Sequence, residues 1–285
     1  MSDPSSVAKR VFPTARRDAA VAEQVSTSPQ TESTAYRLAF QDADFLLRED
    51  LRPVRFQLEL LKPEILLEEA NIGSTFVFYG SARIPSPDAA QTLVDAAATP
   101  VQQRIAERLA AKAKYYDEAR KLAQFASQCG CDDDKRQFVV CSGGGPSIME
   151  AANRGAADVG APSIGLNIVL PHEQLPNPYV TPGLSLQFHY FALRKMHFLL
   201  RARAVAVFPG GFGTFDESFE LLTLVQTGKV APMPILFFGK EFWNRVVNFD
   251  ALVEEGVISP NDLNTFRFVE TADEAWEIVR AHYGI

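Results

Sequence analysis

The chain predicts an α/β fold: a doubly wound, mostly parallel sheet with helices on both faces and an N-terminal helical addition. Two observations carry this. From Thr75 onward, short wholly apolar runs alternate with stretches whose apolar residues recur every three or four positions. Strands apolar on both sides belong to parallel sheets, and the amphipathic stretches are the helices that cover them. Three of the runs also end in glycine turns that open a helix, the connection expected at the ligand-binding edge of such a sheet.

Residues 1–34 are rich in Ser, Thr, Ala and Pro and poor in large apolar groups, so they are expected to be a disordered tail. Over 35–71, Tyr36, Phe40, Phe45, Leu46, Phe56, Leu60 and Leu61 keep helical spacing, with Pro53 and Pro63 breaking the stretch into short helices packed on the main domain. Residues 72–285 form that domain. Its first strand is Thr75 to Tyr79, and Pro85 to Arg136 holds two helical segments. A strand Phe138 to Cys141 precedes a helix from Pro146 to Asp158, and Ser163 to Leu170 is a further strand. After a proline-rich loop come a strand Leu184–Tyr190 and a helix Phe191–Arg201. Strand Ala204–Phe208 leads to a helix Thr214–Gln226, strand Pro234–Phe238 to a helix from Glu241, and Phe266–Val269 to a helix Ala272–Ala281.

With 285 residues, 47% of them hydrophobic, the chain can bury one large core. A net charge of −7 argues against nucleic acid as partner, since binding a polyphosphate backbone needs a basic surface. No apolar run reaches the ~18–20 residues of a membrane span, and no signal-peptide core is present. A cytoplasmic location is expected, with a transit peptide as the alternative reading of the mildly basic start. Cys129, Cys131 and Cys141 read as reduced thiols. Cys129-Gly130-Cys131 could touch a metal, but no second ligand pair follows, so no metal is expected.

The glycine turns are Gly80-Ser81, Gly143-Gly144-Gly145 and Gly210-Gly211-Phe212-Gly213. Each alone could be a tight connection. Together on one sheet edge they favour an anion or nucleotide. Ile148 occupies the third glycine position of G-x-G-x-x-G and no P-loop lysine motif exists, which points to a mononucleotide rather than NAD or ATP. Thr214 and Glu217 fit either a helix capping box or a catalytic carboxylate. In the helix before the strand Ala204–Phe208, Arg194, Phe198 and Arg201 share one face, opposite Leu193, Met196, His197 and Leu200. That basic face is either solvated or set beside a phosphate or leaving base. His189 and His197 read as packing residues rather than ligands.

Pro209-Gly210-Gly211-Phe212-Gly213-Thr214-Phe215-Asp216-Glu217 resembles the PGGxGTxxE signature of the Lonely Guy (LOG) family of phosphoribohydrolases, in its longer bacterial branch. Arg194-Lys195-Met196 resembles the family's upstream helix. Ser142 to Pro146 with Met149-Glu150 resembles its GGG…ME segment, with Ser147 where Gly or Ala is usual. Phe78-Tyr79-Gly80-Ser81 resembles its first-strand turn, with Tyr79 replacing Cys. The resemblance runs from about Thr75 to Gly239 and implies a Rossmann-like fold. It also implies hydrolysis of a nucleoside 5′-monophosphate, AMP-like or a cytokinin riboside 5′-monophosphate, to free base and ribose 5-phosphate. It makes Arg194 and Glu217 catalytic and has Gly210, Gly211, Gly213 and Thr214 hold the phosphate. Gly80, Ser81, Gly143, Gly144, Gly145, Met149, Glu150 and Lys195 complete the substrate-binding set. It implies no cofactor and a homo-oligomer. The alternative is a non-catalytic nucleotide or cofactor carrier on the same fold.

Overall fold

The computed structural model of the protein describes residues 12–132, 134–171 and 175–285. Residues 1–11 of the expected tail, and the Cys131 side chain of the metal alternative, lie outside the described residues. The described residues divide into two compact units, one ending at Leu58 and the other beginning at Glu59. The first carries α1 (Ala15–Ala22), α2 (Pro29–Glu32) and α3 (Ala43–Leu46). Thr14, Ser28 and Asp42 each accept a backbone N–H at a helix start, so part of the expected tail is helical. None of the three helices buries a residue.

Helix α4 (Arg52–Glu69) runs through Pro63, against the expectation of a break there. Proline removes an N–H and strips the carbonyl four residues back, Glu59 O, of its donor. His197 replaces that donor: its Nε2 lies 3.1 Å from Glu59 O, and because a carbonyl can only accept, Nε2 carries the proton. Burial lowers the His197 pKa, although the Glu59 carbonyl and Glu64 pull it up.

The second unit holds a seven-stranded sheet built of β1 (Thr75–Tyr79), β4 (Val139–Ser142), β5 (Ser163–Ile168), β6 (Ser185–Phe188), β7 (Ala202–Val207), β8 (Ile235–Phe238) and β9 (Arg267–Val269). The short β2 (Cys131–Asp132) and β3 (Lys135–Arg136) pair separately. The order is β6-β5-β4-β1-β7-β8-β9, and every pairing in it is parallel. After β1 the chain fills one side through β4 to β6, then returns to place β7 on the other side of β1. This reversal opens a crevice above the carboxyl ends of β1 and β7.

Alternation along β1 feeds two cores. Phe76 and Phe78 pack with Leu122 of α7 (Lys114–Ser127), Ile148 of α8 (Ile148–Asp158) and Ala275 of α13 (Ala272–Tyr283). Val77 and Tyr79 pack with Phe198 of α9 (Phe191–Leu200), Leu221 of α10 (Phe212–Gln226), Trp243 of α11 (Lys240–Val246) and Phe249 of α12 (Phe249–Glu254). Between β1 and β2 stand three helices, not two: α5 (Pro87–Asp95), α6 (Pro100–Ala110) and α7. The extra start is a Thr99–Gln102 capping box with Pro100 in the first turn. Among the described residues no helix is long and apolar enough to cross a membrane.

Candidate functional site

A cavity of about 800 Å³ opens at the carboxyl edge of the sheet. Gly80 to Arg83 follow β1, Gly143 and Gly145 follow β4, and Asn167 and Ile168 end β5. Gly211 to Phe215 and Glu217 come from the start of α10, Phe191 and Arg194 from α9, Met149 from α8 and Val246 from α11.

Helix α10 begins at Phe212, with Gly211 as its N-cap and no side-chain cap. The expected Thr214–Glu217 capping box therefore does not form, because the Gly210-Gly211 turn starts the helix two residues early. Thr214 is buried in the first turn, and Glu217 lies in the second. The first-turn amides have no carbonyl one turn back and no side-chain acceptor, so they offer an anion free donors and the positive helix end. A Cβ built on Gly211 or Gly213 would meet nothing within 4 Å. The space beside this helix start is left open by the protein itself.

The glycine turn after β4 is held by a buried polar network. Ser142 Oγ donates to Asn153 Oδ1 at 2.7 Å and accepts from Gly144 N at 3.0 Å. Asn177 Nδ2 donates to Gly144 O, Gly145 O and Asn153 Oδ1 at 3.1, 2.9 and 2.9 Å. Gly144 has φ +73°, which glycine adopts without strain. Ser147, a non-glycine at φ 66° and ψ −123°, carries strain that its hydrogen bond to Ile84 O offsets.

Arg194 is fixed on several sides. Its Nε donates to Leu166 O at 2.7 Å, its guanidinium lies 5.1 Å from the Phe198 ring centre, and a Cβ on Gly143 would come within 2.6 Å of Nη2. Nη1 reaches Glu217 Oε1 at 3.4 Å, with both side chains nearly buried. Burial raises the Glu217 pKa to about 7, although Arg194 pulls it down. Beneath the pair, Tyr79 is buried, and its phenol is pushed well above the ordinary range by burial and then by Glu217.

Of the residues expected from sequence, Gly80, Ser81, Gly143, Gly145, Met149, Arg194, Gly211, Gly213, Thr214 and Glu217 line the cavity. Four do not. Gly144 is turned toward Asn177 and Gly210 packs on Thr214. The Glu150 carboxylate accepts from the Tyr116 hydroxyl at 2.8 Å, and Lys195 pairs with Asp216 and Glu220 at 3.1 Å each. The expected faces of α9 also change: His197 is buried with Arg194 and Phe198, while Met196 and Leu200 are exposed. His197 turns inward because the Glu59 carbonyl needs it. Arg83, Asn167, Phe191 and Phe212 line the cavity without having been singled out. The one available signal was Asn167, a lone polar residue near the end of an apolar strand. Among the described residues no cluster of metal-ligating side chains occurs.

Residues 149–279 match a family model described as a possible lysine decarboxylase. The chain is 29% identical over 168 residues to a probable cytokinin riboside 5′-monophosphate phosphoribohydrolase, LOGL3 of Oryza sativa subsp. japonica, covering 57% of this chain and 74% of that one. It is 28% identical over 151 residues to the phosphoribohydrolase LOG7 of Arabidopsis thaliana, covering 52% and 66%. The X-ray structure of TM1055 aligns over 73% of this chain and 99% of that one, at 18% identity and a TM-score of 0.45. The PGGxGTxxE segment lies at the cavity, and over about half of its length the chain is similar to the LOG phosphoribohydrolases.

Proposed function

We propose that the cavity binds a nucleoside 5′-monophosphate and hydrolyses its N-glycosidic bond to free base and ribose 5-phosphate. The observation that carries this reading is the near-buried Arg194–Glu217 pair in the wall of a cavity whose neighbouring helix start has unpartnered amides. The phosphate sits at that helix start. The C1′–N bond then breaks, the base leaves with the electron pair, and positive charge develops on the ribose. Ionised Glu217 stabilises that charge. With a pKa of about 7 it is also matched to take the proton of the attacking water as C1′–O forms and to give it up again, so that the departing base anion ends as the neutral free base. Arg194, held by Leu166 O and the Phe198 ring, acts as a fixed cation beside the departing base.

The test is incubation of the protein with AMP and with adenosine, reading free adenine by chromatography. AMP should be cleaved and adenosine should not. Equal cleavage removes the phosphate site, and AMP binding without base release favours the carrier alternative. The same reading includes a homo-oligomer, which light scattering at micromolar concentration checks.

A further inference from the structure

Helix α9 carries Arg194, and Glu59 of α4, the first residue of the second unit, grips it on both sides of that arginine. The Glu59 carboxylate accepts the backbone N–H of His189 on Oε1 at 2.9 Å and that of Tyr190 on Oε2 at 3.2 Å. Tyr190 is the N-cap of α9, and its side chain makes no cap bond. Glu59 therefore supplies from another helix the oxygen that a capping residue supplies locally, and its charge faces the positive end of α9. In the turn after Arg194, His197 Nε2 donates to the carbonyl of the same Glu59, the one that Pro63 leaves without a donor. One residue thus holds α9 by its side chain ahead of Arg194 and by its main chain behind it. Arg201, which ends α9, pairs with Glu64 further along α4.

We propose that Glu59 is the positioning residue for Arg194: it sets where α9 lies along the cavity wall, and so where the guanidinium meets the departing base. This rests on the nucleotide reading above. The other contacts of Arg194 do not fix the helix. Phe198 belongs to α9 and moves with it, and Leu166 O holds a single Nε. Packing at the helix start is thin. The buried residues of α9 begin at Arg194 itself, and Phe191, in the first turn and in the cavity wall, is 52% exposed. The start is held instead by two bonds to an ionised acceptor, which are stronger than bonds between neutral groups. A displacement of about 1 Å in a group that acts at the transition state can cost on the order of 100-fold in rate. The phosphate sits on α10, outside the clamp, so losing Glu59 should cost turnover and leave substrate capture largely intact.

The experiment uses the full chain and three variants. Glu59→Gln keeps the bulk, removes the charge and leaves one oxygen for two N–H groups. Glu59→Ala removes both acceptors. Leu67→Ala opens a hole under the same helix without touching the clamp, and controls for lost stability alone. Two readouts are taken: the Arg194 Nε–H resonance in heteronuclear NMR, assigned by its loss in Arg194→Lys, and initial rates of adenine release from AMP. In Glu59→Gln the resonance should shift and its hydrogen exchange quicken by about tenfold, with a larger effect in Glu59→Ala. In both, kcat should fall by about tenfold or more, with KM changed by no more than about threefold. Leu67→Ala should lower Tm and leave the resonance and kcat near those of the parent. An Arg194 resonance that shifts and exchanges in the Glu59 variants as in the parent overturns the proposal. So does a shifted resonance with kcat unchanged, or a loss confined to KM. An equal effect in Leu67→Ala overturns it as well, because Glu59 would then be merely structural. If the parent releases no base from AMP, the hydrolysis reading fails, and the resonance alone decides whether Glu59 positions Arg194.

Discussion

Replacing Glu217 with Gln keeps the side chain's shape and removes its charge. Since α10 starts at Phe212, the residue contributes nothing to capping, and the substitution isolates the carboxylate. A carboxylate and a cation 4 Å apart attract by roughly 4 kcal/mol at an effective dielectric of about 20. Arg194, 3.4 Å from Glu217, already uses part of that field. A net loss of about 3 kcal/mol at the transition state is therefore expected, or roughly 100-fold in turnover. Initial rates of adenine release from AMP measure it. The proposed mechanism uses the ionised form, whose pKa is about 7, so turnover of the parent should rise with pH through neutrality and level off above it. The Gln variant should lose that limb. Stability moves the other way. The folded carboxyl holds its proton up to about pH 7, while the unfolded one releases it near 4.5, so the native state binds more protons between them. Stability should fall across that window, by on the order of 3 kcal/mol in all, and then stay level. In the Gln variant this contribution should vanish. Turnover near the parent rate in Glu217→Gln would refute the mechanism.

Three further substitutions probe the supports of the site. Gly143→Ala puts a methyl 2.6 Å from Arg194 Nη2 and 2.8 Å from Met149 Sδ, and should lower kcat at least tenfold while the protein still unfolds cooperatively, as chromatography and a melting curve would report. Ser147→Gly relieves a strained backbone but loses the bond to Ile84 O. The two effects are each about 1 kcal/mol, so denaturant titration should find stability changed by less than about 1 kcal/mol, and a large loss would show that the hydroxyl matters more than the strain. His197→Leu leaves Glu59 O without a donor and should cost about 1–3 kcal/mol, most of it recovered when Pro63→Ala restores a backbone N–H in the same chain. Simple additivity of that pair would disprove the link.

The fold was legible because its signals are local. Residues 75–79 are apolar on both faces, and such a run has few uses other than a central parallel strand. Where two local signals compete, the reading failed. Thr214 and Glu217 have the spacing of a capping box, yet the Gly210-Gly211 turn ahead of them starts the helix first. Pro63 has the form of a helix breaker, but its effect depends on whether a neighbour satisfies the freed carbonyl. That neighbour, His197, is 138 positions from Glu59. The site divides in the same way. Most residues of the glycine motifs line the cavity, Gly144 and Gly210 excepted, while Asn177, which holds two carbonyls of the turn after β4 from 32 and 33 positions away, gives no sign of it in a proline-rich loop.

Adjacent Arg194 and Lys195 show what sequence spacing leaves out. Both are cations on one helix, but a helix turns about 100° per residue, so only one can face the sheet edge. Arg194 faces it, and the backbone carbonyl of Leu166 and the ring of Phe198 hold it there. Lys195 faces Asp216 and Glu220 at the surface. The contact Arg194 makes with Glu217 is a single one at 3.4 Å, not the short two-pronged pairing that arginine and carboxylate form when they serve each other alone. Such a pairing would occupy both carboxylate oxygens and hold the pKa far below neutrality. Here burial outweighs the arginine, the pKa rises to about 7, and one carboxylate oxygen remains free of the guanidinium. A weak, nearly buried pair costs the protein stability, and under the proposed mechanism its unshared carboxylate oxygen is what faces the cation developing on the ribose.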